Sequence, residues 1–294
     1  MPKLVWSAWL AAFVAALVVA PAAHAEDDDA AGAFDTDHLF AFNAGTDMDK
    51  PGTKELDAGI TGRFGRNGGT YRAYESELSF QYTAAPNLQL QLAAFGTYHR
   101  IKDVPDMDDR DMAAFGGLSV ALNYRLLDRA THGFGLAVSA EPYWTRVDDD
   151  TGERVTGYGS EFTIAVDREL LPNFLVGVLN ASYEPESSKS RLDGTWSRQN
   201  TAGLSGGLML KLSDKVFAGA EARYLWRYDS LDFNDFAGRA IYVGPTVSVA
   251  FSENAWLTLG WSTQVSGRAA GDDGALDLVN FERNQARAAF GVSF

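Results

Sequence analysis

From residue 55 to the carboxy-terminus, apolar and polar side chains alternate in twelve separate segments, each closed by a polar or Gly-rich turn. Alternation with a period of two is what a strand with one apolar and one polar face requires. The segments cover residues 55–64, 71–82, 88–99, 116–126, 134–146, 158–167, 174–184, 203–212, 216–228, 240–251, 255–266 and 285–294. In the last of them Ala286, Ala288, Phe290, Val292 and Phe294 share one side, and Gln285, Arg287, Gly291 and Ser293 the other. No stretch repeats at 3.6 residues for long enough to predict a second, helical domain.

Most segments run ten to thirteen residues, about the length that a tilted strand needs to cross a bilayer. The connections alternate in length: short at 83–87, 127–133, 168–173, 213–215 and 252–254, longer at 100–115, 147–157, 185–202, 229–239 and 267–284. On the apolar faces aromatics gather at the strand ends, Tyr98, Trp144, Tyr158, Tyr183, Trp226 and Tyr228 at one end and Tyr82, Tyr124, Phe134, Phe251 and Phe294 at the other. Two aromatic belts around a Leu/Val/Ala band, with short turns on one side and long loops on the other, predict an all-β fold: a transmembrane antiparallel up-and-down β-barrel of about twelve strands. A soluble β-sandwich would also alternate, but its outer faces would be polar and its aromatics unsorted by depth.

The amino-terminus adds a location. Lys3, the apolar run 4–20 and Ala23-His24-Ala25 form the pattern of a secretory signal cleaved before Glu26. The expected organisation is a signal peptide over 1–25, a periplasmic or lumenal segment over 26–52, and the barrel over 53–294, in the outer membrane of a Gram-negative cell. Within 26–52, residues 38–42 are left over from an even strand count; the rim, the lumen or a partial strand are the open places for them. Removing Lys3 with the signal leaves 24 basic against 39 acidic residues, a formal charge of −15 where the whole chain has −14. That excludes nucleic acid as a natural partner. The absence of cysteine excludes disulfides, thiolate metal sites and cysteine nucleophiles. Acidic runs such as 148–150 and 272–273 read as solvated loops, since none has Ca²⁺-loop spacing.

The polar faces carry the candidate chemistry. Arg63, Glu75, Glu77, His99, Arg125, Glu141, Glu161, Glu184, Glu221, Arg223 and Arg227 are the predicted pore-lining residues. Glu221, Arg223 and Arg227 fall at nearly successive inward positions, so a vertical line of charge is expected there. Across all inward positions nine acids face six bases, at most a weak cation bias. Such groups either pair across strands and fill the barrel or line a water-filled passage, and twelve strands is intermediate between the two regimes. A hydrolase reading needs His99 with Asp103 or Asp106, but no Ser follows at a suitable spacing and no G-x-S-x-G motif occurs. The resulting expectation is a passive pore or transporter for small polar solutes without metal or cofactor; the alternatives are a non-conducting structural barrel and a surface hydrolase. Expected partners are outer-membrane lipid, lipopolysaccharide and the machinery that assembles barrels from a terminal aromatic such as Phe294; oligomeric state stays open.

Several stretches resemble an uncharacterised family of proteobacterial outer-membrane barrel proteins: Lys54-Glu55-Leu56 with Thr61-Gly62-Arg63-Phe64-Gly65, residues 76–82, Ala181-Ser182-Tyr183-Glu184, Gly219-Ala220-Glu221-Ala222-Arg223, Val243-Gly244-Pro245 and Asn280-Phe281-Glu282-Arg283. The resemblance spans nearly the whole mature chain. It implies the fold and the location and brings no substrate or catalytic residue.

Overall fold

The computed structural model describes residues 34–294; the expected signal peptide lies outside them. Twelve strands form: β1 Lys54–Phe64, β2 Thr70–Ala85, β3 Leu88–Lys102, β4 Arg110–Leu127, β5 Gly135–Val147, β6 Arg154–Leu171, β7 Leu175–Ser190, β8 Trp196–Ser213, β9 Val216–Tyr228, β10 Phe236–Ser252, β11 Ala255–Ala269 and β12 Asn284–Ser293. One helical turn, α1 Arg129–His132, joins β4 to β5. Each strand pairs antiparallel with its sequence neighbours, and β1 closes the barrel on β12. Closure removes every sheet edge, so each ladder has its partner and no backbone row is left for lipid to desolvate.

The pleat sorts side chains as the sequence pattern predicts. Across the closing seam Leu56 meets Val292, Ala58 meets Phe290 and Ile60 meets Ala288 on one face, while Asp57 meets Gly291, Thr61 meets Arg287 and Arg63 meets Gln285 on the other. The outward face leaves Leu78, Leu92, Ile164 and Val265 more than half uncovered by protein, and Val120 and Leu259 nearly so. A continuous apolar belt of this kind marks a surface covered by lipid. No helix among the described residues is long and apolar enough to cross a membrane.

Two features depart from the expected strand plan. β4, β6 and β8 reach 18 residues, about twice the ~9–11 that a crossing needs, so much of what reads as long loop in sequence is strand continuing past the membrane. The 185–202 stretch, for example, is mostly the β7–β8 hairpin. Pro142, Pro185 and Pro245 also sit inside strands, and the β4–β5, β6–β7 and β10–β11 ladders each skip pairs beside them. Proline has no N–H to give, so each opens a local gap that the rest of a closed barrel tolerates.

Candidate functional site

The barrel interior is where polar chemistry collects, and at the short-turn end a segment of the chain itself fills it. Residues 34–47 enter the lumen without forming a strand. Phe34, Leu39 and Phe40 pack with Val176 and Val178 of β7 and Met209 of β8 into a dry cluster. Small residues on the wall make the room: a Cβ on Gly207 would stand 2.8 Å from the Phe40 ring, and one on Gly260 would overlap Ala41. At the apex of the segment the Glu221 carboxylate accepts from Ala41 N at 2.8 Å, Phe42 N at 3.0 Å, Asn43 Nδ2 at 2.6 Å and the Thr246 hydroxyl. The Arg223 guanidinium lies over the Phe42 ring at 4.2 Å and also over Tyr242.

Two further contacts hold the base of the segment. The His38 ring stacks on Trp256 with centroids 4.0 Å apart, and its Nε2 lies 2.9 Å from Glu55. Burial opposes charge on that imidazole, but Asp37 and Glu55 outweigh it and push His38 up to about 10. Burial pushes Asp37 up to about 7. At the rim Arg129 of α1 bridges Asp47 at 2.5 Å and Asp167 at 2.9 Å and donates to the Phe34 carbonyl.

At the long-loop end, residues 148–153 between β5 and β6 turn inward. Arg63 grips the Asp149 carboxylate with both terminal nitrogens. Arg66 at 2.5 Å and Arg227 at 2.8 Å hold Asp150. Burial alone would raise the Asp150 carboxyl; the two guanidiniums keep it well below the usual carboxylate range. His99 Nε2 lies 2.9 Å from the Asp149 carbonyl and Tyr71 donates to the Asp150 carbonyl. Gly152 has φ +68 and its Cα faces the His99 ring, a position that no side chain could occupy. The acidic run expected to be a solvated loop is therefore drawn in, held by ion pairs from Arg63, Arg66 and Arg227 to Asp149 and Asp150.

Between these two constrictions lie cavities of about 490 and 330 Å³ that share Glu77, Gln91, Glu141, Glu161 and Arg287 as walls. Six carboxylates come from one arc of the barrel, Glu75 and Glu77 of β2, Glu141 of β5, Glu161 of β6, Glu184 and Glu186 of β7, while Asp57 of β1 and Glu282 just before β12 line the cavities from the other side. The bonds they receive come from neutral groups: Gln91 to Glu77 at 3.2 Å, Ser119 to Glu141 at 2.6 Å, Thr163 to Glu161 at 3.0 Å, Tyr143 to Glu184 at 2.9 Å and Gln199 to Glu186 at 3.0 Å. The bases Arg63, Arg227 and Arg287 come from β1, β9 and β12 on the other arc. Arg63 and Arg227 are spent on the inturned loop, whereas Arg287 has no hydrogen bond or ion pair among the described residues. No group of side chains suited to a metal ion occurs among the described residues.

Of the residues expected to line a passage, Arg63, Glu75, Glu77, Glu141, Glu161, Glu184 and Arg227 surround the larger cavity. The other four face inward but lie elsewhere. His99 is buried under the 148–153 loop, Arg125 sits at the short-turn rim on the Pro86 carbonyl and Asp128, and Glu221 and Arg223 are covered by the amino-terminal segment. The expected vertical charge line is thus interrupted, with Arg227 alone of the three on the open space. Sequence reasoning passed over Glu186, which lies beyond the predicted end of its strand, and gave no role to Asp149 and Asp150.

A family model described as a family of unknown function, DUF6662, matches residues 32–294. No curated protein matches the chain. Among solved structures, an outer membrane channel from Pseudomonas putida F1 superimposes with TM-score 0.57 at 12% identity, over 85% of this chain and 98% of that one. The β domain of the Bordetella autotransporter BrkA gives 0.52 at 14% identity, over 83% and 100%. The translocator domain of the autotransporter NalP from Neisseria meningitidis gives 0.51 at 13% identity, over 85% and 91%. At these identities the likeness is one of fold, and channel and translocator barrels share it. The chain belongs to the DUF6662 family.

Proposed function

Taking membership of that barrel family as the premise, we propose that the protein is a narrow outer-membrane pore for small polar solutes that favours cations. The observation carrying this reading is the pair of cavities at the centre of the lumen, which share wall residues and are lined by eight carboxylates that make no ion pair among the described residues, the six glutamates of β2 and β5–β7 together with Asp57 and Glu282. A wall built only to fill a barrel would pair its charges across strands, since unpaired charge in a low-dielectric wall is costly. The short-turn end then faces the periplasm and the inturned 148–153 loop guards the outer mouth.

A non-conducting structural barrel is the second reading, and the amino-terminal segment favours it, because that segment occupies the periplasmic half of the lumen. Conductance of the purified full chain in a planar bilayer separates the two. Cation-preferring current supports the pore. Silence from correctly inserted wild type, and from a Glu221→Ala variant whose apex anchor is gone, supports the structural barrel. The hydrolase reading gains nothing from His99, whose ring is buried and turned to a backbone carbonyl.

A further inference from the structure

On the outward side of the barrel, just past the aromatic belt at the long-loop end, three arginines surround a recess of about 150 Å³: Arg146 of β5, Arg154 of β6 and Arg191 of the β7–β8 turn. Its remaining walls are Ala113, Ala114, Phe115 and Val147, with no carboxylate among them. None of the three arginines makes an ion pair among the described residues. The nearby acids are otherwise engaged, Glu153 by the Ser190 hydroxyl and Asp193 by Thr195. The arrangement is held together by the backbone: Arg191 N donates to the Arg154 carbonyl at 2.9 Å and Arg191 Nε to Thr156 at 3.2 Å. Arg146 rests over the Trp144 ring, and Tyr158 and Phe115 are exposed on the same lipid-facing side.

Three guanidiniums gathered without an ion-paired carboxylate in a chain of net charge −14 call for an anion. Tryptophan and tyrosine mark the headgroup level of a bilayer, so the anion that meets this recess is a headgroup phosphate of the outer leaflet. Arginine's planar fork suits phosphate oxygens bidentately, and a recess of about five water volumes at ~30 Å³ each has room for one such group with its water. We infer that Arg146, Arg154 and Arg191 form a binding site for a phosphate of lipopolysaccharide, which fastens the barrel in the outer leaflet. This rests on the outer-membrane reading above, but not on conduction.

The test is retention of bisphosphorylated lipid A by the full chain in detergent, for wild type, for the single variant Arg191→Gln, and for Arg146→Gln/Arg154→Gln/Arg191→Gln. Heat-modifiable migration checks each fold. Loss of charge-assisted hydrogen bonds should weaken binding by about tenfold or more in the triple variant and by several-fold in the single one. Arg268→Gln, an outer arginine already paired with Asp273, should bind as wild type does. Dephosphorylated lipid A should bind wild type no better than the triple variant. Equal retention by folded wild type and triple variant overturns the site. Competition by millimolar inorganic phosphate at the affinity of lipid A, or equal binding of phosphatidylglycerol, overturns its assignment to lipopolysaccharide. A chain that folds without detergent would instead overturn the membrane reading itself.

Discussion

Glu221 illustrates how far a single residue can be read from its neighbours along the chain. Period two places it inward, correctly, but its four donors come from residues 41–43 and Thr246, which are remote in sequence. Replacing it with Ala leaves buried backbone N–H groups at Ala41 and Phe42 without an acceptor, at about 1–3 kcal/mol for each. The expected outcome for Glu221→Ala is an intact barrel whose amino-terminal segment becomes accessible to limited proteolysis. Met209 carries the same lesson. It faces inward as the alternation requires, yet it meets Phe34, Leu39 and Phe40 rather than water. Met209→Arg should therefore expel the segment, whereas Gln91→Arg, which enters the shared cavity, should be accommodated. Its outward neighbour Leu92 is 59% uncovered by protein. Leu92→Arg should cost roughly 2–4 kcal/mol near the bilayer midplane. Refolding yields into lipid vesicles read this difference, and equal yields for the Leu92 and Gln91 variants would contradict the register.

At the scale of elements, the strands were legible because one residue of slip would turn every apolar side chain inward, so pattern and pairing cannot disagree. Their ends were not, since beyond the bilayer a strand loses its apolar face while its ladder continues, as in β6 and β8. Residues 34–47 were illegible for another reason: they have no period of their own, and their fit depends on Gly207 and Gly260 from distant strands. Their attachment should respond to pH through His38. Because its folded value is raised to about 10, its contribution is complete below about 6.5, the ordinary imidazole value, and disappears as pH rises toward 10. Asp37, raised to about 7 by burial, acts in the same direction, since ionising it above the ordinary range opposes the buried state. The segment should be better protected from protease near pH 6 than near pH 9.5. His38→Gln should flatten that dependence by removing the larger titration, and an unchanged slope would assign the effect elsewhere.

For the molecule as a whole, the inward-facing composition understates the lumen's charge because it counts groups that the folded chain neutralises. Glu55, Asp167 and Glu221 hold the amino-terminal segment or its Arg129 tether, Arg223 is covered, and Arg63 and Arg227 are held by Asp149 and Asp150. What faces the open space is eight carboxylates without an ion pair, the six of β2 and β5–β7 with Asp57 and Glu282, against the one guanidinium there, Arg287, that has neither hydrogen bond nor ion pair among the described residues. A bias that looked weak from a count of nine acids and six bases should therefore be pronounced. In a salt gradient the reversal potential of the wild-type pore should report cations, more so at low ionic strength, where the screening length grows from about 10 Å at 0.1 M to about 30 Å at 0.01 M. Glu141→Gln with Glu161→Gln removes two of the carboxylates shared by both cavities and should reduce the cation preference. Arg287→Gln removes the opposing charge and should strengthen it. The two substitutions act at the same depth with opposite sign, so a general disturbance of the barrel cannot imitate the pair. Shifts in the same direction would show that the permeating ions do not pass between these walls.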